Sequence, residues 1–168
     1  DEPFAVLLPD ELMVGTPGFL KQMADAYYEL GGNVIGALEV SDEDTRKYGI
    51  ITPGERKGRA TEVKALVEKP EPGTAPSNLM IPGRYILQPE VMTILSDQEK
   101  GAGGEIQLTD AIRSLLKQGC KGVGMKLPVG QRRYDIGNFD SYFSTFLEFA
   151  LADPLHGPEL RRKLHKLL

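Results

Sequence analysis

The sequence predicts an α/β fold, in which helices pack against a β-sheet, and three observations indicate it. An apolar run from Phe4 to Leu8 is typical of a buried strand. A helix is predicted next, with Thr16 as its N-cap and Pro17 as its first residue, because apolar residues at helical spacing follow and end at two glycines. A second strand is predicted from Asn33 to Val40. Strand, helix and strand of these lengths form a βαβ unit.

The first strand also indicates where the chain belongs in its domain. The run from Phe4 to Leu8 is apolar at every position, which predicts a central place in a parallel or mixed sheet. A central strand rarely opens a domain, and the chain has no initiator Met. We therefore expect these residues to be the later part of a larger domain.

The composition argues against several classes of partner. The chain has 168 residues, 40% of them hydrophobic, and a formal net charge of −4. This charge argues against nucleic acid or an anionic membrane as the main partner. No run approaches the roughly 18 apolar residues of a membrane span, and no secretory signal is recognisable. The single cysteine, Cys120, cannot form a disulfide within the chain, which favours a reducing compartment and a cytoplasmic location.

Strands and turns are predicted in the middle of the chain. A strand begins around Tyr48 to Ile51, and a charged hairpin tip follows from Pro53 to Arg59. Alternating apolar and polar residues from Glu62 to Glu68 predict a strand with one solvated face. Another strand is predicted from Leu79 to Leu87, in which Pro82 and Gly83 mark a bulge, an edge or a close approach to a ligand.

Four helices and two strands are predicted in the second half of the chain. The predicted elements are, in order, a helix from Pro89 to Leu95, a helix through Leu108 and Leu116, a strand from Gly122 to Val129, a strand from Arg133 to Ile136, an aromatic-faced helix from Phe139 to Ala150 and a basic amphipathic helix from Pro158 to Leu168. The apolar faces of the last two helices suit contacts in an oligomer. Core packing explains the aromatic face equally well.

Two carboxylates directly follow the first strand, at Asp10 and Glu11. In open α/β sheets, ligands bind beyond the carboxyl ends of the strands. Mg²⁺ is commonly held by one or two carboxylates together with substrate phosphates. On this motif alone, a cation site and a simple capping role for Asp10 are equally favoured.

Further candidates lie at the ends of later predicted elements. Lys69 could reach a phosphate and Glu68 could accept hydrogen bonds from sugar hydroxyls, although adjacent charges of this kind are more often solvated surface. Asp135 could be a second metal ligand beside Asp10, or the first-turn residue of the next helix. The segment from Gly101 to Glu105 is rich in glycine but lacks the Lys-Ser/Thr pair of a P-loop, so it is a weak phosphate-binding candidate.

The order of these motifs carries a family resemblance. In chain order they are LPD (8–10), YGI (48–50), VEKP (67–70), APSN (75–78), GRY (83–85), GAGGEIQLTD (101–110) and YDIG (134–137). Together they closely resemble the bacterial UTP–glucose-1-phosphate uridylyltransferases, from about Phe4 to Phe149. VEKP occurs across the wider group of sugar nucleotidylyltransferases, whereas the series from APSN to GAGGEIQLTD is more specific to the uridylyl branch.

The resemblance implies a Rossmann-like, three-layer nucleotide-diphospho-sugar transferase fold with a mixed, mostly parallel sheet. Residues 1–168 would form the C-terminal portion of a single nucleotidyltransferase domain, with a terminal helical region at 138–168. The implied reaction is Mg²⁺-dependent: UTP and α-D-glucose 1-phosphate give UDP-glucose and pyrophosphate, in a homo-oligomer. By this resemblance, Asp10 and Asp135 would hold Mg²⁺ and Lys69 would contact the sugar phosphate. In-line attack on a phosphorus requires positioning and charge neutralisation, which such a set supplies.

The sugar-binding residues follow from the same resemblance. Glu68 would bind sugar hydroxyls, the backbone of Gly49 would lie against the hexose, and Ile81 would line the sugar pocket. Two departures stand out. The family's usual LPDD has a glutamate here, at Glu11, and no segment matches the family's glycine-rich nucleotide-binding loop.

Two alternatives remain open from the sequence. One is a nucleotidylyltransferase of other base or sugar specificity, because the absent segment would select the base. The other is a non-catalytic, sugar-phosphate-binding regulatory module. The presence of Asp10, Lys69 and Asp135 together favours an enzyme, since a module without catalysis has no need of a metal pair.

Overall fold

The structure is a computed structural model that describes residues 2–101 and 104–167. Its strands are β1 (Phe4–Leu7), β2 (Glu11–Val14), β3 (Asn33–Glu39), β4 (Gly49–Lys57), β5 (Ala60–Glu68), β6 (Leu79–Met80), β7 (Arg84–Leu87), β8 (Gly122–Lys126) and β9 (Arg132–Asp135). Its helices are α1 (Phe19–Leu30), α2 (Glu90–Asp97), α3 (Leu108–Lys117), α4 (Phe139–Ala152) and α5 (Gly157–Leu167), with a short 3-10 helix at Glu43–Lys47. None of the helices in these residues is long and apolar enough to cross a membrane.

The chain divides into two compact units. The first comprises the residues up to Leu8 and Gly15–Gln131, and the second comprises Pro9–Val14 and the residues from Arg132 onward. The first unit contains a seven-stranded sheet in the order β1-β7-β3-β6-β4-β5-β8, in which β8 also pairs with β3. The second contains the two-stranded antiparallel sheet of β2 and β9 with helices α4 and α5.

The core of the first unit is formed by residues from both the sheet and the helices. Strands β3, β4, β5 and β7 contribute buried apolar residues, and α3 contributes one face. Fully buried members of this cluster are Ile35, Ile51, Leu66, Leu87, Val91, Ala111, Ile112 and Leu115. The amphipathic spacing of α3 therefore fixes which of its residues face the sheet.

The predicted α/β fold with a mixed sheet is confirmed, but the expected parallel majority is not found. Among the described pairings of the large sheet, β3 with β8 is parallel and the others are antiparallel. A parallel pair needs a long crossover connection, whereas β4 and β5 are joined by a tight turn that imposes antiparallel pairing. Gly58 lies in that turn at φ +62°, so the turn is confined to the end of the predicted tip from Pro53 to Arg59.

The first strand has an open edge in the residues that the structure describes. β1 pairs with β7 alone among the described strands, so its other edge is open here, and its central place in a larger domain stays a prediction. Phe4 and Val6 pack against the core, whereas Ala5 is exposed and Leu7 is 48% exposed. Successive side chains of a strand point to opposite faces. The apolar run therefore predicted burial on two faces, and the structure buries one.

Two other boundaries differ from prediction. Helix α1 begins at Phe19 rather than at Pro17, because Gly18 has an extended backbone (φ −57°, ψ 144°) and serves as the N-cap. The strand predicted from Leu79 to Leu87 is divided into β6 and β7 by a segment in which Gly83 has a φ of +59°.

The second unit begins with a strand that the sequence pattern did not predict. β2 pairs with β9, which places Glu11 opposite Asp135. The predicted terminal helices are observed as α4 and α5. Three positions of predicted elements, Ala102, Gly103 and Leu168, lie outside the described residues.

Candidate active site

Three of the predicted sugar-binding residues meet in the first unit. β4 begins at Gly49 and β5 ends at Glu68, and these two residues are partners in the β-ladder. The Ile81 N–H donates a hydrogen bond to the Gly49 carbonyl oxygen at 2.9 Å. Residues that are distant in sequence are therefore joined by backbone pairing at the end of two neighbouring strands.

The lack of a side chain at Gly49 leaves a small space that its neighbours surround. A β-carbon on Gly49 would lie 3.0 Å from Glu68 Oε2, 3.2 Å from Ile81 Cδ1 and 3.3 Å from Thr109 Oγ1. A carboxylate, a hydroxyl and a methyl group thus converge on the buried backbone at Gly49, where no side chain intervenes. Such a mixture of polar and apolar groups suits a hexose, whose ring presents hydroxyls and carbon–hydrogen faces.

Thr109 is a member of this cluster to which the sequence analysis assigned no role. Its hydroxyl donates a hydrogen bond of 2.7 Å to Glu68 Oε2, and the residue is only 6% exposed. A signal for it does exist in the sequence. Thr109 precedes Ile112 by three residues, so it lies on the buried face of α3, where a hydroxyl requires a partner.

Lys69 has an unusual backbone conformation. Its φ is +43°, in the left-handed region that non-glycine residues rarely adopt, and its N–H donates to the Tyr48 carbonyl oxygen at 3.1 Å. Its side chain is exposed, and it forms no ion pair with the part of the chain that the structure describes. Strained backbone of this kind often occurs at functional sites. The ammonium group is available to an anionic ligand.

The predicted metal ligands, Asp10 and Asp135, meet in the second unit. The Ile136 N–H donates to the Asp10 carbonyl oxygen at 2.8 Å, which continues the pairing of β2 with β9. A β-carbon on Gly137 would lie 3.2 Å from both Asp10 Oδ2 and Asp135 Oδ1. The two carboxylate oxygens therefore flank one spot that glycine leaves open. Because each lies 3.2 Å from that spot, the distance between the two oxygens is at most twice 3.2 Å.

This arrangement fits a hard divalent cation. Carboxylate oxygens are the ligands that Mg²⁺ prefers, and one or two of them are sufficient when substrate phosphates supply others. In residues 2–101 and 104–167, no group of three or more His, Cys, Asp or Glu residues is placed to hold a metal ion by itself. Asp10 and Asp135 are the two carboxylates that the sequence prediction named.

A buried ion pair lies beside these aspartates. Glu11 is 8% exposed and accepts hydrogen bonds from Arg133, which also contacts Asp135 at 3.0 Å. Burial raises the pKa of the Glu11 carboxyl above its ordinary value, and the hydrogen bonds and charge of Arg133 oppose that shift. From the sequence, Glu11 was only one of the two carboxylates that follow the first strand, and Arg133 had no predicted role.

The glycine-rich segment is described in part, at Gly101, Gly104 and Glu105. The Gly101 N–H donates to the Glu105 carbonyl oxygen at 2.8 Å, and a β-carbon on Gly101 would lie 2.6 Å from Asp110 Oδ2. Asp110 forms an ion pair with Arg113 at 2.9 Å. These contacts explain Gly101 as a position of close approach. Ala102 and Gly103 of this motif lie outside the described residues.

The chain matches a family model and named relatives. Residues 1–150 match the nucleotidyl transferase family. A UTP–glucose-1-phosphate uridylyltransferase of Staphylococcus epidermidis is 43% identical over 167 residues, which cover 99% of this chain and 57% of that protein. One of Staphylococcus haemolyticus is 45% identical over 172 residues, with the same coverage of 99% and 57%. The chain therefore spans little more than half the length of these relatives.

Solved structures give a consistent result. A UDP-glucose pyrophosphorylase complexed with UDP-glucose is 37% identical and has a TM-score of 0.83, over 88% of this chain and 56% of that chain. A UTP-bound enzyme of the same type from Acinetobacter baumannii is 30% identical and has a TM-score of 0.82, over 99% of this chain and 57% of that chain.

Proposed function

Because this chain belongs to the nucleotidyl transferase family, we propose that the protein containing it transfers a uridylyl group from UTP to α-D-glucose 1-phosphate. A phosphate oxygen of the sugar phosphate attacks the α-phosphorus of UTP and forms a new P–O bond. The bond from that phosphorus to the oxygen bridging the β-phosphate breaks, which releases pyrophosphate and leaves UDP-glucose. The observation that supports this proposal most strongly is that relatives aligned over 99% of this chain are UTP–glucose-1-phosphate uridylyltransferases. The single free cysteine, Cys120, supports a cytoplasmic location.

The cluster around Gly49 is our proposed hexose site. Glu68 accepts hydrogen bonds from sugar hydroxyls, and Thr109 holds its carboxylate by donating to Oε2. The backbone of Gly49, which carries no side chain, lies against the sugar ring, and Ile81 provides an apolar contact. A charged acceptor with one oxygen already fixed restricts which hydroxyl arrangements can bind, so this cluster would select the sugar.

The charged residues are our proposed phosphate and cation sites. Lys69 contacts the phosphate of glucose 1-phosphate and orients it for in-line attack. Asp10 and Asp135 hold Mg²⁺, which when bound neutralises negative charge on the nucleotide phosphates. The support for this assignment is the shared spot beside Gly137, together with the exposed ammonium group of Lys69.

The direct test of the proposed function is a substrate survey with the complete protein. We expect pyrophosphate release from UTP and glucose 1-phosphate in the presence of Mg²⁺, with far slower release when another nucleoside triphosphate or hexose 1-phosphate replaces either one. Faster turnover with another pair would reassign the specificity. No turnover with any pair, from folded protein, would favour a non-catalytic sugar-phosphate-binding module.

We expect Thr109→Val to weaken the use of the sugar phosphate while sparing UTP. The change removes the hydroxyl that donates to Glu68 but keeps the side-chain shape. A hydrogen bond to a charged group contributes about 1.5–3 kcal/mol, which corresponds to a KM for glucose 1-phosphate roughly ten- to a hundredfold higher. Steady-state kinetics with each substrate varied in turn measure the effect.

Thr109→Ser is the matched control, because it keeps the hydroxyl and should retain most of the wild-type KM. Glu68→Gln should raise the same KM, and adding Thr109→Val to it should have little further effect, since both act through one contact. A rise in the KM for UTP alone would show that Glu68 does not serve the sugar.

We also propose that copies of the protein associate through helix α4. A row of aromatic residues on this helix is exposed in its unit, with Phe139 at 80% and Phe143 at 62%. The Phe139 and Phe143 rings are stacked with centroids 6.2 Å apart. Contiguous exposed aromatic surface of this kind is typical of protein–protein contacts.

We expect light scattering to give at least twice the mass of one complete chain, and Phe143→Ser combined with Phe146→Ser to shift that mass toward a monomer. Tyr28→Ser, at an equally exposed aromatic residue on α1, should leave the mass unchanged. A monomeric wild-type protein would contradict the proposal.

A further inference from the structure

A guanidinium group lies between two carboxylates in the second unit. Arg133 Nε donates to Glu11 Oε2 at 2.6 Å, and Arg133 Nη2 donates to both Glu11 Oε1 and Asp135 Oδ2, the latter at 3.0 Å. The Arg133 side chain is 12% exposed. The pair with Glu11 is therefore bidentate and largely shielded from water, which is the geometry that arginine forms best with a carboxylate.

The β-ladder explains why this contact is needed. Glu11 and Asp135 are directly opposite each other on β2 and β9, and like charges at such positions repel. Arg133 precedes Asp135 by two residues, so it lies on the same face of β9. Its guanidinium reaches both carboxylates. Without it, the two carboxylates would turn away from each other.

The same contact fixes the orientation of Asp135. Oδ2 of this residue is held by Arg133, and Oδ1 accepts the Gly137 N–H at 2.9 Å. Oδ1 is also the oxygen that shares the spot beside Gly137 with Asp10. Each Asp135 oxygen thus has a defined partner, and the one facing Asp10 cannot turn away while Arg133 is in place.

We propose that Arg133, anchored by Glu11, is a positioning residue for the cation site formed by Asp10 and Asp135. The inference rests on the proposed function only in taking that spot as a divalent-cation site. The charges agree with it, because three carboxylates and one guanidinium leave two negative charges for a divalent cation to neutralise. Groups that orient metal ligands in this way strongly affect metal affinity.

The test measures how tightly the complete protein binds Mn²⁺. The electron paramagnetic resonance signal of free Mn²⁺ reports the concentration that stays unbound. We expect Arg133→Met to weaken binding about ten- to a hundredfold. The direction of the change in Mn²⁺ affinity is informative. If Arg133 acted through its charge alone, removing that positive charge beside a carboxylate would strengthen cation binding. Arg132→Met is the matched control: Arg132 pairs with Glu148, and we expect it to bind Mn²⁺ like the wild type.

Arg133→Lys keeps the charge but loses the planar fork, so its affinity should lie between those of the wild type and Arg133→Met. If Arg133→Met does not fold, the Mn²⁺ affinity of Arg133→Lys alone tests the positioning role of Arg133. Wild-type affinity in folded Arg133→Met or Arg133→Lys, or an equal loss in Arg132→Met, would overturn the inference. A UDP-glucose assay on the same samples separates the two proposals. Inactive wild-type protein with the expected Mn²⁺ pattern would contradict only the proposed function, and active protein without that pattern would contradict only the role of Arg133.

Discussion

Replacing Asp10 or Asp135 with asparagine is expected to reduce Mg²⁺-dependent turnover of the complete protein by about a thousandfold or more. A bound cation contributes several kcal/mol of charge stabilisation in a reaction of this kind, and a thousandfold loss corresponds to about 4 kcal/mol. The two oxygens flank one spot, so either substitution disables the same site. The double variant should therefore be little worse than either single variant.

Turnover measured over a range of Mg²⁺ concentrations, together with thermal unfolding, checks this result. The melting temperature of Asp10→Asn should not fall, because removing one of two neighbouring carboxylates relieves repulsion in the cation-free protein. Asp135→Asn also weakens the contact with Arg133, so a small fall is expected there. Asp140→Asn, on the first turn of α4 in the same unit, is the control and should retain activity. Losses in the two single variants that multiply in the double variant would show that the aspartates act independently.

Lys69→Ala is expected to lower turnover by about 10²–10³-fold, since one donor aimed at developing charge typically contributes about 2.7–4 kcal/mol. The expectation follows from an exposed ammonium group on a backbone held in the left-handed region by the Tyr48 carbonyl. The measurement is kcat with saturating UTP and glucose 1-phosphate, compared with the free energy of unfolding.

Two further variants separate function from stability at this position. Lys64→Ala removes an exposed lysine from β5, the strand that ends directly before Lys69, and should leave kcat unchanged. Lys69→Gly should lose as much activity as Lys69→Ala but be more stable than it, because glycine adopts a positive φ without strain. Wild-type kinetics in both Lys69 variants would identify Lys69 as a surface charge.

Elements with a strong local pattern were predictable from the sequence. The period-2 alternation that ends at Glu68 is observed in β5, and the apolar spacing around Ile112 is observed in α3. Helix α4 has its expected start because the Asn138 side chain accepts the Ser141 N–H at 3.0 Å. In each case residues close in sequence determine the structure.

Features that depend on distant partners were not predictable in this way. β2 has only four residues, and it is a strand because β9 pairs with it from more than a hundred residues away. The place of β1 in its sheet likewise depends on which strands pair with it, and an apolar composition does not encode that choice.

The residues of the candidate site likewise include some that the sequence predicted and some that it did not. The family resemblance is confirmed by the relatives, and it supplied Gly49 and Glu68, whose assigned roles remain predictions. Thr109 and Arg133 were missed because their importance lies in contacts made across the fold, with Glu68 and Glu11 respectively. A motif shows which residue types recur in order, but not which side chains hold one another in place.

Anomalous diffraction at the manganese edge tests the central claim most directly, on crystals of the complete protein grown with UDP-glucose and Mn²⁺. The account predicts one Mn²⁺ within coordination distance of both Asp10 and Asp135. It also predicts the hexose against Gly49 with a hydroxyl hydrogen-bonded to Glu68. An anomalous peak away from these aspartates, or a hexose bound elsewhere, would contradict it.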